Sequence, residues 1–218
     1  MRRSFSTVAV FFLLLTASIT WGCAGPPEGS AEWYFQRAYR LAQQGAYQPA
    51  IEAYTEAIKI EPQMAKLYVN RGAAYASLEN YDQVIADSTR AISLDSNLAL
   101  AYINRAYAYN AKGKYEEAIK DSNKAIELGK NMAEAYVNRA YSYLRLGDTQ
   151  RAIGDCNEAL ELNPNLPQAY FHRAYAFKAL EKTNEAINDF NSFIRLTNDQ
   201  KLIEKARQEI QELSQPAK

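Results

Sequence analysis

An all-α solenoid of five helix-turn-helix units, closed by a C-terminal capping helix, is the fold that this 218-residue sequence predicts. Three observations predict it. Tyr68, Tyr102, Tyr136 and Tyr170 fall 34 residues apart and open nearly the same phrase: Tyr-Val-Asn-Arg, Tyr-Ile-Asn-Arg, Tyr-Val-Asn-Arg and Tyr-Phe-His-Arg. A fixed period of that length means one supersecondary unit copied along the chain, in which no copy buries its apolar face without a neighbour. Within a copy, numbered from place one to place thirty-four, small and apolar residues recur at places four, eight and eleven and again at twenty, twenty-four and twenty-seven. Each triplet is the i, i+4, i+7 stripe of a helix. Glycine and proline punctuate the copies, with Gly45, Gly113 and Gly147 at place fifteen between the helices and Pro62 and Pro164 closing the second helix of copies one and four.

Residues 1–22 form the first element. Arg2 and Arg3 precede an apolar run from Val8 to Ile19, and Thr20-Trp21-Gly22-Cys23-Ala24 follows, giving the three parts of an export signal. Twelve helical residues span about 18 Å against a hydrocarbon core of about 30 Å, so a permanent transmembrane helix is not expected. With Gly22 before it and the apolar run behind, Cys23 resembles the modified cysteine of the bacterial lipoprotein lipobox, although Thr20 and Trp21 depart from that pattern. The resemblance implies that Cys23 is acylated and becomes the first residue of the mature chain. Cleavage after Ala24 is the competing reading, because Gly22 and Ala24 also satisfy a small-x-small rule, and it gives a secreted protein without a lipid. Residues 23–30 contain Gly25, Pro26, Pro27 and Gly29 and form a tether. Ala24 stands where an Asp holds such lipoproteins at the inner membrane in enteric bacteria, which points to the outer membrane, facing the periplasm, if the source has one.

The five copies span 31–64, 65–98, 99–132, 133–166 and 167–200. Their first stripe is Tyr34, Ala38, Leu41; Tyr68, Gly72, Tyr75; Tyr102, Ala106, Tyr109; Tyr136, Ala140, Tyr143; and Tyr170, Ala174, Phe177. Their second is Ala50, Tyr54, Ala57; Val84, Ser88, Ala91; Ala118, Ser122, Ala125; Ala152, Cys156, Ala159; and Ala186, Phe190, Phe193. Small residues at eight, twenty and twenty-seven let the two helices approach while the tyrosines fill the flanks. Residues 201–218 supply the cap and a short tail: Leu202, Ala206, Ile210 and Leu213 make an apolar stripe that covers the last copy, and the charged face meets water.

This recurrence resembles the tetratricopeptide repeat (TPR) family over residues 31–200. The resemblance implies a right-handed superhelix whose first helices line a concave face, and a function in holding other proteins. Glu79 and Glu181 stand where the family favours Gly, and Ser96, Lys130 and Asn198 where it favours Pro. In copy three, Gly129 ends the helix one place earlier. Copy five reads as an end copy, with Thr183 in place of the tyrosines Tyr47, Tyr81 and Tyr115 and bulky Phe193 in place of alanine.

Basic and acidic residues balance at 25 each, and losing Arg2 and Arg3 with the signal leaves a net charge of about −2. No basic field exists for nucleic acid. With Cys23 lipidated, Cys156 is a single cysteine at a helix-packing place and reads as a buried, unreactive thiol. The one histidine, His172, takes the place where copies two to four have Asn70, Asn104 and Asn138 and reads as a surface substitution. No phosphate loop, metal-ligand cluster or nucleophile motif is present, so neither an enzyme nor a cofactor or small-molecule site is expected.

Two constellations exceed the generic repeat. Place seven is Arg in every copy (Arg37, Arg71, Arg105, Arg139, Arg173), and place twenty-three is Asp in four (Asp87, Asp121, Asp155, Asp189), with Ala53 in copy one. Constant offsets between planar guanidinium groups and carboxylates suggest a structural ladder of charge pairs between helices, its register open. The weaker alternative is an arginine row that grips an acidic partner. The second constellation is an apolar strip on the first helices: Phe35 and Tyr39, Val69 and Ala73, Ile103 and Tyr107, Val137 and Tyr141, Phe171 and Tyr175. On the face that the family resemblance makes concave, such a strip means a binding groove, unless tight curvature or the N-terminal segment covers it. Chaperone-binding members of the family line this face with Lys, Asn and Arg. Val69, Ile103 and Val137 at place five exclude that specificity here.

The expected function is therefore an adaptor or assembly scaffold at the cell envelope, lipid-anchored and gripping a peptide or helix of an envelope protein. A self-assembling repeat protein is the alternative, against which the charged capping helix argues at one end.

Overall fold

A computed structural model describes residues 25–129 and 132–215. Every regular element among them is a helix: α1 Ala31–Gln43, α2 Tyr47–Ile60, α3 Ala65–Ser77, α4 Tyr81–Leu94, α5 Ala99–Ala111, α6 Tyr115–Leu128, α7 Ala133–Arg145, α8 Thr149–Leu162, α9 Pro167–Ala179, α10 Thr183–Leu196 and α11 Gln200–Leu213. The chain divides into two compact units, one ending at Lys112 and the other beginning at Gly113. In the first, α1 packs on α2 and α3 on α4, α2 and α4 pack on the first helix of the next copy, and α5 lies against α3. In the second, α6 through α10 repeat that zigzag, α9 also lies against α7, and α11 packs on α10.

Side-chain size sets how closely the helices approach. Ala38, Ala106, Ala140 and Ala174 at place eight are fully buried, as are Ala50, Val84, Ala118, Ala152 and Ala186 at place twenty. The largest groups fall in the end copies. Phe35 lies 6.0 Å from Tyr54 in copy one, and Phe171 lies 6.0 Å from Phe190 and 4.6 Å from Phe193 in copy five. The middle copies have Ser88, Ser122 and Cys156 at the place of Tyr54 and Phe190.

The place-four tyrosines hold the copies together by more than bulk. Tyr68, Tyr102 and Tyr170 donate their hydroxyls to the carbonyls of Pro62, Ser96 and Pro164, at 3.0, 3.3 and 3.2 Å. Each bond runs from the first turn of a helix back to the loop that delivers it, and phenylalanine could not make it.

Place fifteen is left-handed in every copy. Gly45, Gly113 and Gly147 have φ of 76°, 74° and 82°, but Glu79 and Glu181 hold φ of 58° with a side chain attached. A Cβ built on Gly45 or Gly147 would meet nothing within 4 Å. Conformation, and not crowding, is therefore what favours glycine. A non-glycine residue there costs about 1 kcal/mol or more, part of which glycine gives back as unfolded-chain entropy. Glu79→Gly combined with Glu181→Gly is expected to raise stability by roughly 0.5–1 kcal/mol per site, read from thermal unfolding. An unchanged or lower melting temperature would show that these glutamates make compensating contacts.

The last helix has the face of a sixth first helix without its partner. Ile203 and Ala206 are buried, Leu202, Ile210 and Leu213 pack beside them on the copy-five core, and Asp199 accepts from the Lys201 and Leu202 amides as N-cap. Glu204, Arg207, Gln208 and Gln211 occupy places four, seven, eight and eleven of that would-be copy. Where a second helix would pack, the sequence puts polar groups.

Candidate functional site

The strip expected along the first helices divides into a buried row and a half-exposed row. Phe35, Val69, Ile103, Val137 and Phe171 at place five are 4%, 0%, 5%, 8% and 4% exposed. They are core, which corrects the expectation that they face a partner. The cause is packing of successive first helices: Val69 joins Ala101 of α5, Val137 joins Leu166 and Ala169 at the start of α9, and Phe35 joins Leu67 of α3. Tyr39, Tyr107, Tyr141 and Tyr175 at place nine stand one turn further on and stay half-buried, whereas Ala73 of copy two is buried.

Each tyrosine has a defined setting. The Tyr107 ring lies edge-on to Tyr81 at 5.9 Å, and Tyr141 meets Tyr115 at 6.2 Å and His172 at 5.1 Å. Tyr175 is taken by the capping helix, its hydroxyl donating to Glu209 at 2.8 Å. The half-exposed rings of the row outside the α11 contact are thus Tyr39 beside Phe35 and Tyr107 with Tyr81 in the first unit, and Tyr141 with Tyr115 in the second. Sequence reasoning missed Tyr81 and Tyr115, although their recurrence with Tyr47 at place seventeen was the available signal.

Lys66, Lys112, Lys178 and Arg145 are basic groups on the repeats' first helices or the turns after them. Lys66 reaches Glu32 at 3.4 Å and lies 4.6 Å over the Phe35 ring, and Lys112 reaches Asp82 at 2.5 Å. Lys178 bonds Glu209, and Glu212 at 3.2 Å. Arg145 instead lies over two rings, 5.2 Å from the centroid of Tyr115 and 5.8 Å from that of Tyr141, and donates from Nη1 to the Tyr141 hydroxyl at 3.0 Å.

In copies two, four and five the Arg and Asp rows form bidentate pairs. Arg71 donates from Nε and Nη2 to Asp87 at 2.8 and 2.7 Å, Arg139 to Asp155 at 2.8 and 2.6 Å, and Arg173 to Asp189 at 2.7 and 2.8 Å. The remaining nitrogen reaches back one copy, from Arg71 to Thr55 at 3.0 Å, Arg139 to Asn123 at 2.6 Å and Arg173 to Asn157 at 2.6 Å. Arg105 likewise meets Thr89 at 3.1 Å, and Asp121 is buried at 4% exposure. Arg37, which has no Asp in its copy, is exposed over the Trp33 ring at 5.4 Å. Burial raises the Asp87 carboxyl above the usual carboxylate range, opposed by the bonds and charge of Arg71. With both forks filled by the protein itself, the paired arginines have no free edge for an acidic partner.

His172 corrects the surface reading. It is half-buried between Tyr141 and Phe171, and burial pushes it down to about 4, so the imidazole is neutral near pH 7. Place six faces the preceding copy: Asn70 is fully buried, and Asn104 donates from Nδ2 to the Val69 carbonyl at 3.3 Å. Cys156 is fully buried, and burial pushes its thiol far above the usual range. Cys23 and the expected export signal lie outside the described residues. Among the described residues, no His, Cys, Asp and Glu gather as a metal-ligand group, and no helix is long and apolar enough to cross a membrane.

Comparison with known proteins agrees with this geometry. Family profiles described as tetratricopeptide repeat match residues 65–98, 133–166 and 167–200, and one described as TPR repeat matches 38–79 and 106–147. The first TPR domain of human RPAP3 is 32% identical over 54% of this chain and 93% of that one, with a TM-score of 0.50. TTC0263, a TPR protein of Thermus thermophilus, is 17% identical and covers 83% of this chain and 99% of its own, at a TM-score of 0.71. YrrB, described as a TPR protein with an unusual peptide-binding site, is 18% identical over 82% and 92%, at 0.60. No curated protein matches the chain.

Proposed function

Since the chain belongs to the tetratricopeptide repeat family, whose fold serves as a protein-interaction scaffold, we propose that it is an adaptor of the cell envelope that takes a peptide or helix of a partner on the place-nine tyrosines of its units. One observation carries the reading: after the helices have packed, Tyr107 and Tyr141 still present half-exposed rings beside Tyr81 and Tyr115. Such rings have an apolar body and a polar tip and lose little rotamer freedom on binding, which makes them good interface anchors. The peptide-binding site named for YrrB supports this choice of ligand by analogy of fold.

Changing both tyrosines to Glu leaves the buried place-five row in place. The double variant Tyr107→Glu, Tyr141→Glu is expected to keep its helical content and melting temperature and to weaken capture of a partner crosslinked in native membranes at least about tenfold, or roughly 1.4 kcal/mol. Unfolding would make these tyrosines core, and undiminished capture would move the partner to another face.

Attachment rests on Cys23 in its lipobox-like setting, with the outer membrane as the site if the source has one. Stable anchoring takes two or more acyl chains, at about 0.8 kcal/mol per buried CH₂. Cys23→Ser is therefore expected to move the protein almost wholly into the soluble fraction. Failure of the wild type to incorporate labelled palmitate would leave a secreted protein without an anchor.

A further inference from the structure

We infer that Arg145 is an acid-reading subsite: it receives a side-chain carboxylate from an Asp or Glu inside the partner segment that lies on the Tyr115 and Tyr141 rings. The inference rests on the proposed use of the tyrosine row. Lys66, Lys112 and Lys178 end on Glu32, Asp82 and the pair Glu209 and Glu212. Arg145 is exposed, and among the described residues its one hydrogen bond goes to the neutral hydroxyl of Tyr141. That bond uses Nη1. The Nε and Nη2 edge is left open, and this is the edge with which Arg71, Arg139 and Arg173 grip Asp87, Asp155 and Asp189.

An arginine on a surface normally loses rotamer entropy when it closes on an acid, which is why exposed pairs contribute little. Here much of that ordering is already present, because two rings and a hydrogen bond hold the guanidinium. A planar, pre-positioned fork beside apolar rings suits a carboxylate flanked by apolar residues, with the rings removing water from the pair on binding. The feature is not a property of the repeat. The other copies have Gln43, Ser77, Ala111 and Ala179 at this place, so one position in the array supplies direction and register to a segment that the tyrosines alone would hold without either.

The test uses the full mature chain, immobilised, and nonapeptides acetylated and amidated at their ends, with randomised apolar and polar flanks around a fixed central residue. Three libraries carry Glu, Gln or phosphoserine at the centre. Wild type is expected to retain the Glu library over the Gln library by at least about tenfold at low salt, with the ratio falling as salt rises. Arg145→Gln should bring the ratio to about one while both libraries stay bound at the Gln level, and Arg145→Lys should restore part of it. Retention of both libraries by the wild type without an acid preference overturns this inference and leaves the tyrosine row standing. An acid preference that survives in Arg145→Gln also overturns it, as does a stronger preference for phosphoserine. Retention of no library overturns the tyrosine-row reading and this inference together.

Discussion

Replacing Arg139 with alanine is expected to cost about 2–4 kcal/mol of folding stability. Its partner Asp155 is 6% exposed, and both carboxylate oxygens accept from that guanidinium. Removing one member of a buried pair strands the other, and that desolvated charge accounts for the cost more than the lost attraction does. Arg139 also ties copy four to copy three through Asn123, so the loss loosens a joint between copies as well as a pair of helices. The double replacement Arg139→Met, Asp155→Leu should recover much of the stability, because no buried charge remains. Urea unfolding of the wild type, the single variant and the double variant measures both quantities. A single variant as stable as the wild type would show that the ladder is surface decoration. A double variant no better than the single would show that the pair's own attraction dominates.

Phe171→Ala is expected to cost about 3–5 kcal/mol, the range for truncating a buried aromatic side chain. Its ring touches Tyr175 at 5.0 Å, Phe190 at 6.0 Å and Phe193 at 4.6 Å, and Lys205 of α11 lies 5.9 Å above it. One side chain therefore joins α9, α10 and α11. Because a stacked array loses cooperativity locally, hydrogen exchange should show the last three helices opening first, with α1 to α4 little changed. This measurement separates the two meanings of an apolar residue at place five. On an open surface, truncation would shift stability by no more than about 0.5 kcal/mol.

The fold was legible because a repeat states its rule five times. Places eight and twenty can hold only small residues where two helices come close, and the left-handed place fifteen announces itself as glycine in three copies. The Arg and Asp offsets were legible for the same reason, since a spacing of sixteen residues recurs whenever a first helix meets its own second helix. The binding strip was only half legible. Val69 and Tyr107 both look exposed on an isolated helix, and periodicity within one helix says nothing of the next helix lying beside it. His172 misled in the same way, because place six faces a neighbouring copy and not water.

By itself, then, the sequence determined the helical class, the alternation of first and second helices among the described residues and the polar face of α11, since all of these follow from local spacing and side-chain size. Tertiary structure decided which apolar groups remain at the surface and which charges are already spent. Those depend on what neighbouring helices cover: Val69 and Phe171 disappear under adjoining helices, Tyr175 and Lys178 are taken up by α11, and Arg145 is held between two tyrosine rings with its outer edge open.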